Sequence, residues 1–434
     1  MFRCIFIPVL FLIFGCVDQS RDVLEEGSPK AQIQTDSSTS SNSNSTGNTS
    51  SDESDQSSSP KLKVLLNVGE NIILPAYQAL RDEAISFSVE GGALGMYCAD
   101  LGTQAEPERL TKVFSGLRSL SERIQVVEVL QVGPLASETN GLHNRIHPYK
   151  DFSLATCSLD QAVVAHAEGD YDIEIRASNQ KGFPAVEYLL ANPSLAHSCP
   201  ALVPVTQAWN SLAETDRKKQ RCALAQTIAN DIAEASTAAF DAWSSEEGGY
   251  LDAFTAEESV GENFQALSDA LFYIEKNTKS RKLTVPLGLD SDCSDATCAS
   301  LVESPYLGNS LQNIAINLEA FLLVLEGGEG FGFDDIIDEA GFPDVSQRFR
   351  DQVREATENA QGNALSLAEQ VELLEANSGG SACVNAFANP GSRDEDYPAC
   401  TLAGLVKRIT DDLKIDFVTI VEVSIPGNVQ SDND

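Results

Sequence analysis

The chain has 434 residues, of which 65 are acidic and 29 basic, so its formal net charge is −36. Apolar residues make up 42% of the chain, which is enough to fill a sizeable core. The excess of carboxylates repels phosphate backbones and anionic headgroups, which argues against nucleic-acid binding and against attachment through a basic patch, whereas cations remain compatible with it.

The N-terminus predicts export. Residues 1–3 make a short positive start, and residues 4–15 (CIFIPVLFLIFG) form an apolar run that is too short to span a bilayer. This run ends at Ile13-Phe14-Gly15-Cys16, which resembles the lipobox of bacterial lipoproteins, in which the cysteine is acylated. We therefore expect residues 1–15 to be a lipoprotein signal peptide and Cys16 to carry a lipid, with ordinary secretory cleavage nearby as the alternative.

The residue after the lipobox bears on the location of the anchor. Val17 stands where some lipoproteins carry the aspartate that retains them in the inner membrane. This favours the outer membrane or the cell surface, with the folded domain in the periplasm or outside the cell. Membrane contact through lipid on Cys16, and contact with other envelope proteins, are the partners we expect.

A polar segment follows. From residue 34 to residue 59 the chain contains only Ser, Thr, Asn, Asp, Glu, Gln and Gly, and none of these can build a core. We expect residues 16–60 to be the lipidated N-terminus and a disordered Ser/Asn-rich tether.

Cysteine usage agrees with an oxidising compartment. Of the ten cysteines, Cys4 leaves with the signal peptide and Cys16 takes the lipid, so eight remain for disulfides. The most local candidate pairs are Cys293 with Cys298 and Cys383 with Cys400, and the pairing of the other four stays open. No CxxC motif occurs, which argues against a zinc ribbon or a thioredoxin-type site.

Beyond Pro60 apolar residues recur every three or four positions, which predicts helices. In chain order the segments are Ile72–Leu80, Leu110–Val127, Thr215–Trp243, Phe264–Ile274, Leu311–Leu325, Phe349–Ala360 and Leu402–Leu413. Only Phe417–Ile425 alternates as a strand would. The expected fold class is all-α, with two packed helical bundles at 61–245 and 246–426 and an acidic tail at 427–434.

Several familiar motifs are missing from the sequence. There is no Walker A loop, no GxSxG elbow and no HExxH. The nearest approach to HExxH is His143-Asn144-Arg145-Ile146-His147, which has Asn in place of the general base and is followed by Pro148. These two histidines could share a metal if a turn aligned them, but loop histidines are the simpler interpretation.

The segment GFPAVEYLL at 182–190 is the most informative one. Gly182 interrupts any preceding helix, and Pro184 suits the first position of the next helix. Glu187 would then lie in the first turn, where the helix dipole favours a carboxylate. Glu187 either completes this helix N-terminus or faces a pocket and binds a cation or a polar ligand.

Over residues 64–425 the sequence resembles the imelysin family, which includes insulin-cleaving membrane proteases and iron-regulated protein A. The similar segments are Asn71–Leu80 (NIILPAYQAL), Glu128–Pro134 (EVLQVGP), Gly182–Leu190, Lys282–Gly288 (KLTVPLG) and Glu303–Ser310 (ESPYLGNS). The resemblance implies two helical bundles with a pocket between them, on the outside of a bacterial cell.

The family signature is GxHxxE, whose His and Glu are thought to bind a metal. Here the His position is Pro184, while Glu187 is kept, so Glu187 is the remaining candidate metal ligand of the signature. A single carboxylate cannot hold and activate a metal-bound water, so the departure argues against metallopeptidase chemistry and leaves no catalytic residue to name.

Other matching segments supply further candidates for ligand binding. They are Glu128, Glu303, Ser304 and Ser310, of which Ser310 could also cap the helix that begins at Leu311. We expect an exported imelysin-like lipoprotein that binds a ligand linked to iron or haem uptake and lacks peptidase activity. A divergent metallopeptidase and a surface interaction module without a small ligand are the alternatives.

Overall fold

The computed structural model describes residues 59–139, 141–151, 153–244 and 248–430. The predicted signal peptide, Cys16 and almost all of the tether lie outside the described residues, as does the end of the acidic tail. The described residues belong to one compact unit. The predicted division at residue 245 stays a prediction.

The fold is all-α, as predicted, and the described residues contain no β-strand. The α-helices are α1 (Pro60–Val68), α2 (Leu74–Ser88), α3 (Ala93–Ala99), α4 (Glu106–Val129), α5 (Leu142–Ile146), α6 (Thr156–Glu168), α7 (Gly182–Ala191), α8 (Glu214–Ser244), α9 (Tyr250–Phe254), α10 (Val260–Leu271), α11 (Ser310–Glu326), α12 (Phe333–Glu339), α13 (Pro343–Gln361), α14 (Leu367–Asn377), α15 (Gly380–Ala388), α16 (Pro398–Asp412) and α17 (Val418–Val421).

Two other helical forms link these elements. Wide π-helical turns run over Gly69–Ile73, Ile274–Thr284 and Leu413–Phe417. Short 3₁₀ turns lie at Pro148–Lys150, Ser178–Gln180, Pro204–Thr206, Trp209–Ser211, Glu257–Ser259, Ala299–Leu301 and Pro390–Ser392.

Two long helices organise the packing. The helix α8 buries Ile228, Ile232, Ala235 and Ala239 and packs against α2, α5, α6 and α7. The helix α11 packs against α4 on one side and α13 on another, and α13 in turn packs against α16. Apolar residues spaced three or four positions apart thus meet in one continuous core.

The predicted strand at Phe417–Ile425 is wrong. This segment completes the π-helical turn Leu413–Phe417 and then forms α17. The buried positions in this part of the chain are Leu413, Phe417 and Val421, a spacing of four that belongs to a helix, whereas the β-branched residues between them are partly buried or exposed.

The predicted local disulfides Cys293–Cys298 and Cys383–Cys400 are both present. The two pairs left open are Cys98–Cys222, which joins α3 to α8, and Cys157–Cys199. No helix among the described residues combines the length and apolarity needed to cross a bilayer.

Candidate functional site

Four ionisable side chains meet inside the protein. Glu128 comes from the end of α4, His147 follows α5, Lys282 lies in the turn Ile274–Thr284, and Glu303 precedes α11. None of the four is more than 2% exposed. Buried charges are costly unless they are paired, so the partners of these groups decide what the cluster can do. We call these four residues the charged centre.

The four side chains pair with one another. His147 Nδ1 lies 2.5 Å from Glu128 Oε1. Lys282 Nζ lies 2.9 Å from Glu128 Oε2 and 3.1 Å from Glu303 Oε1. The distance from His147 Nε2 to Glu303 Oε1 is 3.6 Å, too long for a hydrogen bond.

Amide side chains orient the carboxylate of Glu303. Gln125 Nε2 donates to Glu303 Oε1 at 3.1 Å, and Asn313 Nδ2 donates to Glu303 Oε2 at 3.1 Å. Asn317 Nδ2 donates to the Gln125 carbonyl at 2.8 Å. This network from α4 and α11 fixes the side chains before any ligand arrives.

The carboxylate of Glu128 is held in its charged form. Burial acts to raise its pKa, but attraction to Lys282 and then to His147 outweighs burial and holds this pKa well below its usual value. The Tyr273 hydroxyl also donates a short hydrogen bond to Glu128 Oε2. The contacts with Lys282 and His147 therefore favour the anionic form of Glu128.

The position of Lys282 depends on an unusual stretch of helix. The π-helical turn Ile274–Thr284 is wider than an α-helix, and its sequence IEKNTKSRKLT has no apolar face of helical period. It nevertheless buries Glu275, Lys279 and Lys282. π-Helical turns are frequent at functional sites, where they redirect side chains that an α-helix would place elsewhere.

Three residues of the charged centre could together hold a metal ion. One ligand atom from each of Glu128, His147 and Glu303 lies within 4.8 Å of the others. Carboxylate oxygen and imidazole nitrogen suit iron and zinc. His147 Nε2 is buried without a hydrogen-bond partner among the described residues, which is costly unless something binds it. The donor set and this nitrogen therefore fit a metal ion.

Glu187 has a different environment. It is 2% exposed, and its Oε1 accepts hydrogen bonds from the backbone N–H of Tyr306 at 2.9 Å and of Leu307 at 3.0 Å. Burial raises its pKa to about 7 against the opposing effect of those hydrogen bonds. It lies outside the three-residue group described above. Its role as a metal ligand stays a prediction.

Two local predictions in this region are wrong. The helix α7 begins at Gly182, so Pro184 lies at its third position and Glu187 lies beyond its first turn. This is possible because proline lacks only an N–H that has no intrahelical acceptor so close to a helix start. Ser310 is not an N-cap: it is the first residue of α11, and its hydroxyl donates to the Glu303 carbonyl.

Two cavities of about 100 Å³ or more border the charged centre among the described residues. One of about 100 Å³ is lined by Glu187, Glu303 and other residues, namely Tyr149, Ser153, Leu154, Thr156, Pro184, Ser300, Leu301, Val302, Ser304, Pro305 and Tyr306. It therefore includes three of the five predicted ligand-binding residues. A second cavity of about 330 Å³ is lined in part by Glu128 and Tyr273. An ion thus has space beside the centre on the sides of both carboxylates.

Sequence reasoning missed two members of the centre. His147 is a loop residue, as expected, but its ring is buried against Glu128 rather than paired with His143. In the sequence, Lys282 stands out only as the first residue of the family-like segment KLTVPLG. The sequence features that point to these residues are the histidine spacing in HNRIH and a lysine within a family-like segment. Neither feature indicates which side chains the folded protein places beside His147 or Lys282.

The fold and the centre define an all-α protein with a carboxylate and imidazole site buried among its helices. The imelysin family model matches residues 122–389, and the chain belongs to the imelysin family. Among curated proteins there is no significant match.

Two solved structures share the fold. An imelysin-like protein from Psychrobacter arcticum 273-4 is 15% identical, with a TM-score of 0.55 over 85% of this chain and 97% of its own. An iron-regulated protein A precursor from Parabacteroides distasonis ATCC 8503 is 13% identical, with a TM-score of 0.53 over 81% of this chain and 95% of its own. At these identities the likeness concerns the fold alone.

Proposed function

We propose that this imelysin-family protein is an exported, lipid-anchored iron-binding protein that serves iron uptake and does not hydrolyse peptides. The observation that carries the proposal is the group Glu128, His147 and Glu303, whose ligand atoms lie within 4.8 Å of one another. The name of the Parabacteroides neighbour, an iron-regulated protein A precursor, points in the same direction.

The size of the space favours an ion over haem. The cavity beside Glu303 and Glu187 holds about 100 Å³. Pockets for drug-sized ligands hold roughly 300–1,000 Å³. The larger cavity beside Glu128 is lined by the charged side chains of Asp269 and Lys276 as well as apolar ones, which suits water and ions better than a large apolar ring.

The same geometry disfavours peptide hydrolysis. A metallopeptidase must present a metal-bound water to an extended substrate, whereas all three candidate ligands are buried and the cavity beside Glu303 is too small for a peptide. Pro184 offers no ligand atom at the position of the signature histidine. Binding without hydrolysis is therefore the function that this site supports best.

Export and anchoring rest on the N-terminal sequence and the cysteines. The lipobox-like end at Cys16 supports a lipid anchor, and four disulfides within the domain support an oxidising compartment. The anchor would place the domain in the cell envelope, where other iron-uptake proteins are its expected partners. Labelling with a radioactive fatty acid tests the anchor, and Cys16→Ser should abolish the label.

Iron titration tests the binding function. The mature chain with Cys16→Ser, its disulfides intact, is dialysed against Fe(II) under anaerobic conditions and its bound iron is measured. We expect stoichiometric binding that His147→Gln and Glu303→Gln abolish. Glu187→Gln is the matched buried control and should retain binding, because its amide oxygen can still accept from Tyr306 and Leu307.

Other outcomes have definite meanings. Loss of iron with Glu187→Gln alone would move the site to the carboxylate of α7. Absence of iron binding in every form would overturn the proposal and favour a surface interaction protein. Chelator-sensitive hydrolysis of peptides by the unsubstituted chain would favour the metallopeptidase instead.

A further inference from the structure

The ammonium group of Lys282 lies in a cage of oxygen atoms. Its Nζ donates to Asn317 Oδ1 at 2.8 Å, to Glu128 Oε2 at 2.9 Å and, through a short hydrogen bond, to Gln125 Oε1. Glu303 Oε1 is the fourth oxygen, at 3.1 Å. An ammonium has three N–H donors, so this one is fully satisfied. The cage resembles the set of oxygen ligands that a hard cation takes in proteins.

Lys282 also balances the charge of the centre. The carboxylates of Glu128 and Glu303 would repel each other in a buried site without a positive charge between them. The ammonium contacts one oxygen of each carboxylate, which is the position that a shared metal ion would take. The lysine ammonium and a metal ion can therefore each neutralise the same two carboxylates.

We propose that the Lys282 ammonium is a built-in competitor of iron for the carboxylates of Glu128 and Glu303. This inference rests on the iron-binding function proposed above and adds how the site is regulated. Two cations cannot share the same carboxylates in a buried site without strong repulsion. Iron therefore binds only when the ammonium withdraws, and its affinity is lowered by the cost of that exchange. A protein that hands its ion to a partner benefits from such reversibility.

The structure offers a place for the displaced ammonium. Lys282 Nζ already lies 5.5 Å from the centroid of the Tyr273 ring, within the range of a cation–π interaction. Tyr273 and Glu128 line the cavity of about 330 Å³, so a movement of the lysine stem toward the ring has room and a favourable end point.

The same π-helical turn carries a matched control. Lys279 is as buried as Lys282, and its Nζ lies 3.0 Å from Glu275 Oε1, which Lys414 also contacts. Among the described residues, the candidate metal-ligand group contains neither Lys279 nor Glu275. Lys279→Met therefore removes a buried ammonium from the same turn without touching the proposed iron ligands.

The experiment compares the mature Cys16→Ser chain with the same chain carrying Lys282→Met or Lys279→Met. Iron affinity is measured by equilibrium dialysis, and thermal unfolding is followed with and without Fe(II). We expect Lys282→Met to bind iron about tenfold or more tightly and to gain more thermal stability from iron than the unsubstituted chain does. Lys279→Met should leave iron affinity unchanged.

The possible results distinguish the competitor role from the iron-binding function. If the unsubstituted chain binds iron and Lys282→Met binds it no more tightly, the competitor role is wrong and the iron site stands. If only Lys282→Met binds iron, the competitor role stands and iron binding by the natural chain is wrong. If neither binds, both are wrong.

Loss of folding is also informative. Lys282→Gln, which removes the charge but keeps a polar group, is read in the same way as Lys282→Met. If both variants fold only when iron is supplied, the metal has replaced the ammonium and the proposal holds. If both fail to fold even with iron, the ammonium is not exchangeable and the proposal is overturned.

Discussion

At the scale of single residues, Glu187 links the helix α7 to the segment that carries Glu303. Its carboxylate accepts hydrogen bonds from the backbone N–H groups of Tyr306 and Leu307, which lie three and four residues after Glu303. Ser304 has a φ of 47°, in the left-handed region that non-glycine residues rarely adopt, so the chain makes a constrained turn at this point. Glu187 therefore acts first as a positioning residue for the centre.

The burial of Glu187 makes a prediction about pH. Its pKa is raised from 4.5 to about 7, so the folded protein holds a proton that the unfolded chain releases. The contribution of this proton to the free energy of unfolding is fully present below pH 4.5 and is lost as the pH rises through about 7. A shift of this size corresponds to about 3 kcal/mol.

Glu187→Gln should remove this pH dependence. The free energy of unfolding is measured with urea at intervals from acid to alkaline pH. Over this range the loss of stability in Glu187→Gln should be about 3 kcal/mol smaller than the loss in the unsubstituted chain. The amide oxygen of glutamine preserves both backbone contacts, so the comparison isolates the titration. Parallel curves for the two proteins would contradict the assignment of the raised pKa to this group.

Single residues of the site were only partly predictable. The family resemblance indicates Glu128, Glu303 and Ser304, the local sequence already indicates Glu187, and all four line the cavities or the centre. The proline after His147 disfavours a helix there, so the sequence favours a loop histidine. A histidine's partners come from distant parts of the chain, and local sequence carries no information about which of them meet.

At the scale of elements, the junction between α5 and α7 determines where His147 lies. Gly182 has a φ of 70°, and a Cβ there would lie 2.5 Å from Pro148 Cδ and 2.9 Å from the Ile146 carbonyl oxygen. These two residues flank His147 in sequence. The absence of a side chain at position 182 therefore allows the start of α7 to approach the backbone that presents the imidazole.

Gly182→Ala should destabilise the protein and disturb the centre. We expect a loss of about 2 kcal/mol or more, from the left-handed backbone and the clash together, and weaker iron binding. Gly169→Ala is the control, because Gly169 has a φ of 81° but nothing lies within 4 Å of its Cβ position. Equal losses in urea unfolding for the two variants would show that the close approach is unimportant.

The long helices were largely predictable, whereas short ones such as α3, α9 and α15 were not, and two further failures have a common cause. Apolar residues that recur every three or four positions predicted α4, α8, α10, α11, α13 and α16. The failures concern π-helical turns, since Ile274–Thr284 buries charged residues without a periodic pattern and Leu413–Phe417 precedes the segment mistaken for a strand. A pattern analysis built on the α-helical period cannot detect a turn of another width.

At the scale of the whole molecule, the charged centre draws on both sides of the predicted boundary at residue 245. Glu128 and His147 come from the N-terminal side, and Lys282 and Glu303 come from the C-terminal side. The net charge of −36 agrees with a protein that concentrates cations near its surface, but it gave no indication of a buried cation. The charge composition predicts which ions the protein surface attracts, but it does not predict which cation binds in the interior.

The disulfides should contribute unequally to stability. Cys98–Cys222 closes a loop with a sequence separation of 124, whereas Cys293–Cys298 has a separation of 5. In the chain-entropy account a disulfide lowers the entropy of the unfolded chain and so stabilises the folded state. This stabilisation is about 5 kcal/mol for Cys98–Cys222 and about 2 kcal/mol for Cys293–Cys298.

Replacing each pair by alanines measures that difference. The Cys98→Ala and Cys222→Ala double variant should lose more stability in guanidinium unfolding than the Cys293→Ala and Cys298→Ala double variant. Similar losses would mean that local contacts around each bridge, rather than loop length, determine its contribution.

The pairing of the cysteines has one more consequence. Cys98–Cys222 and Cys157–Cys199 lie before residue 245, and Cys293–Cys298 and Cys383–Cys400 lie after it. Two polypeptides produced separately from either side of that position could each complete their oxidation without the other. Apolar packing, the ion pairs of the centre and hydrogen bonds such as those from Tyr306 and Leu307 to Glu187 would then reunite them. The protein is therefore a natural candidate for a split-chain complementation system in which recovered iron binding reports reassembly.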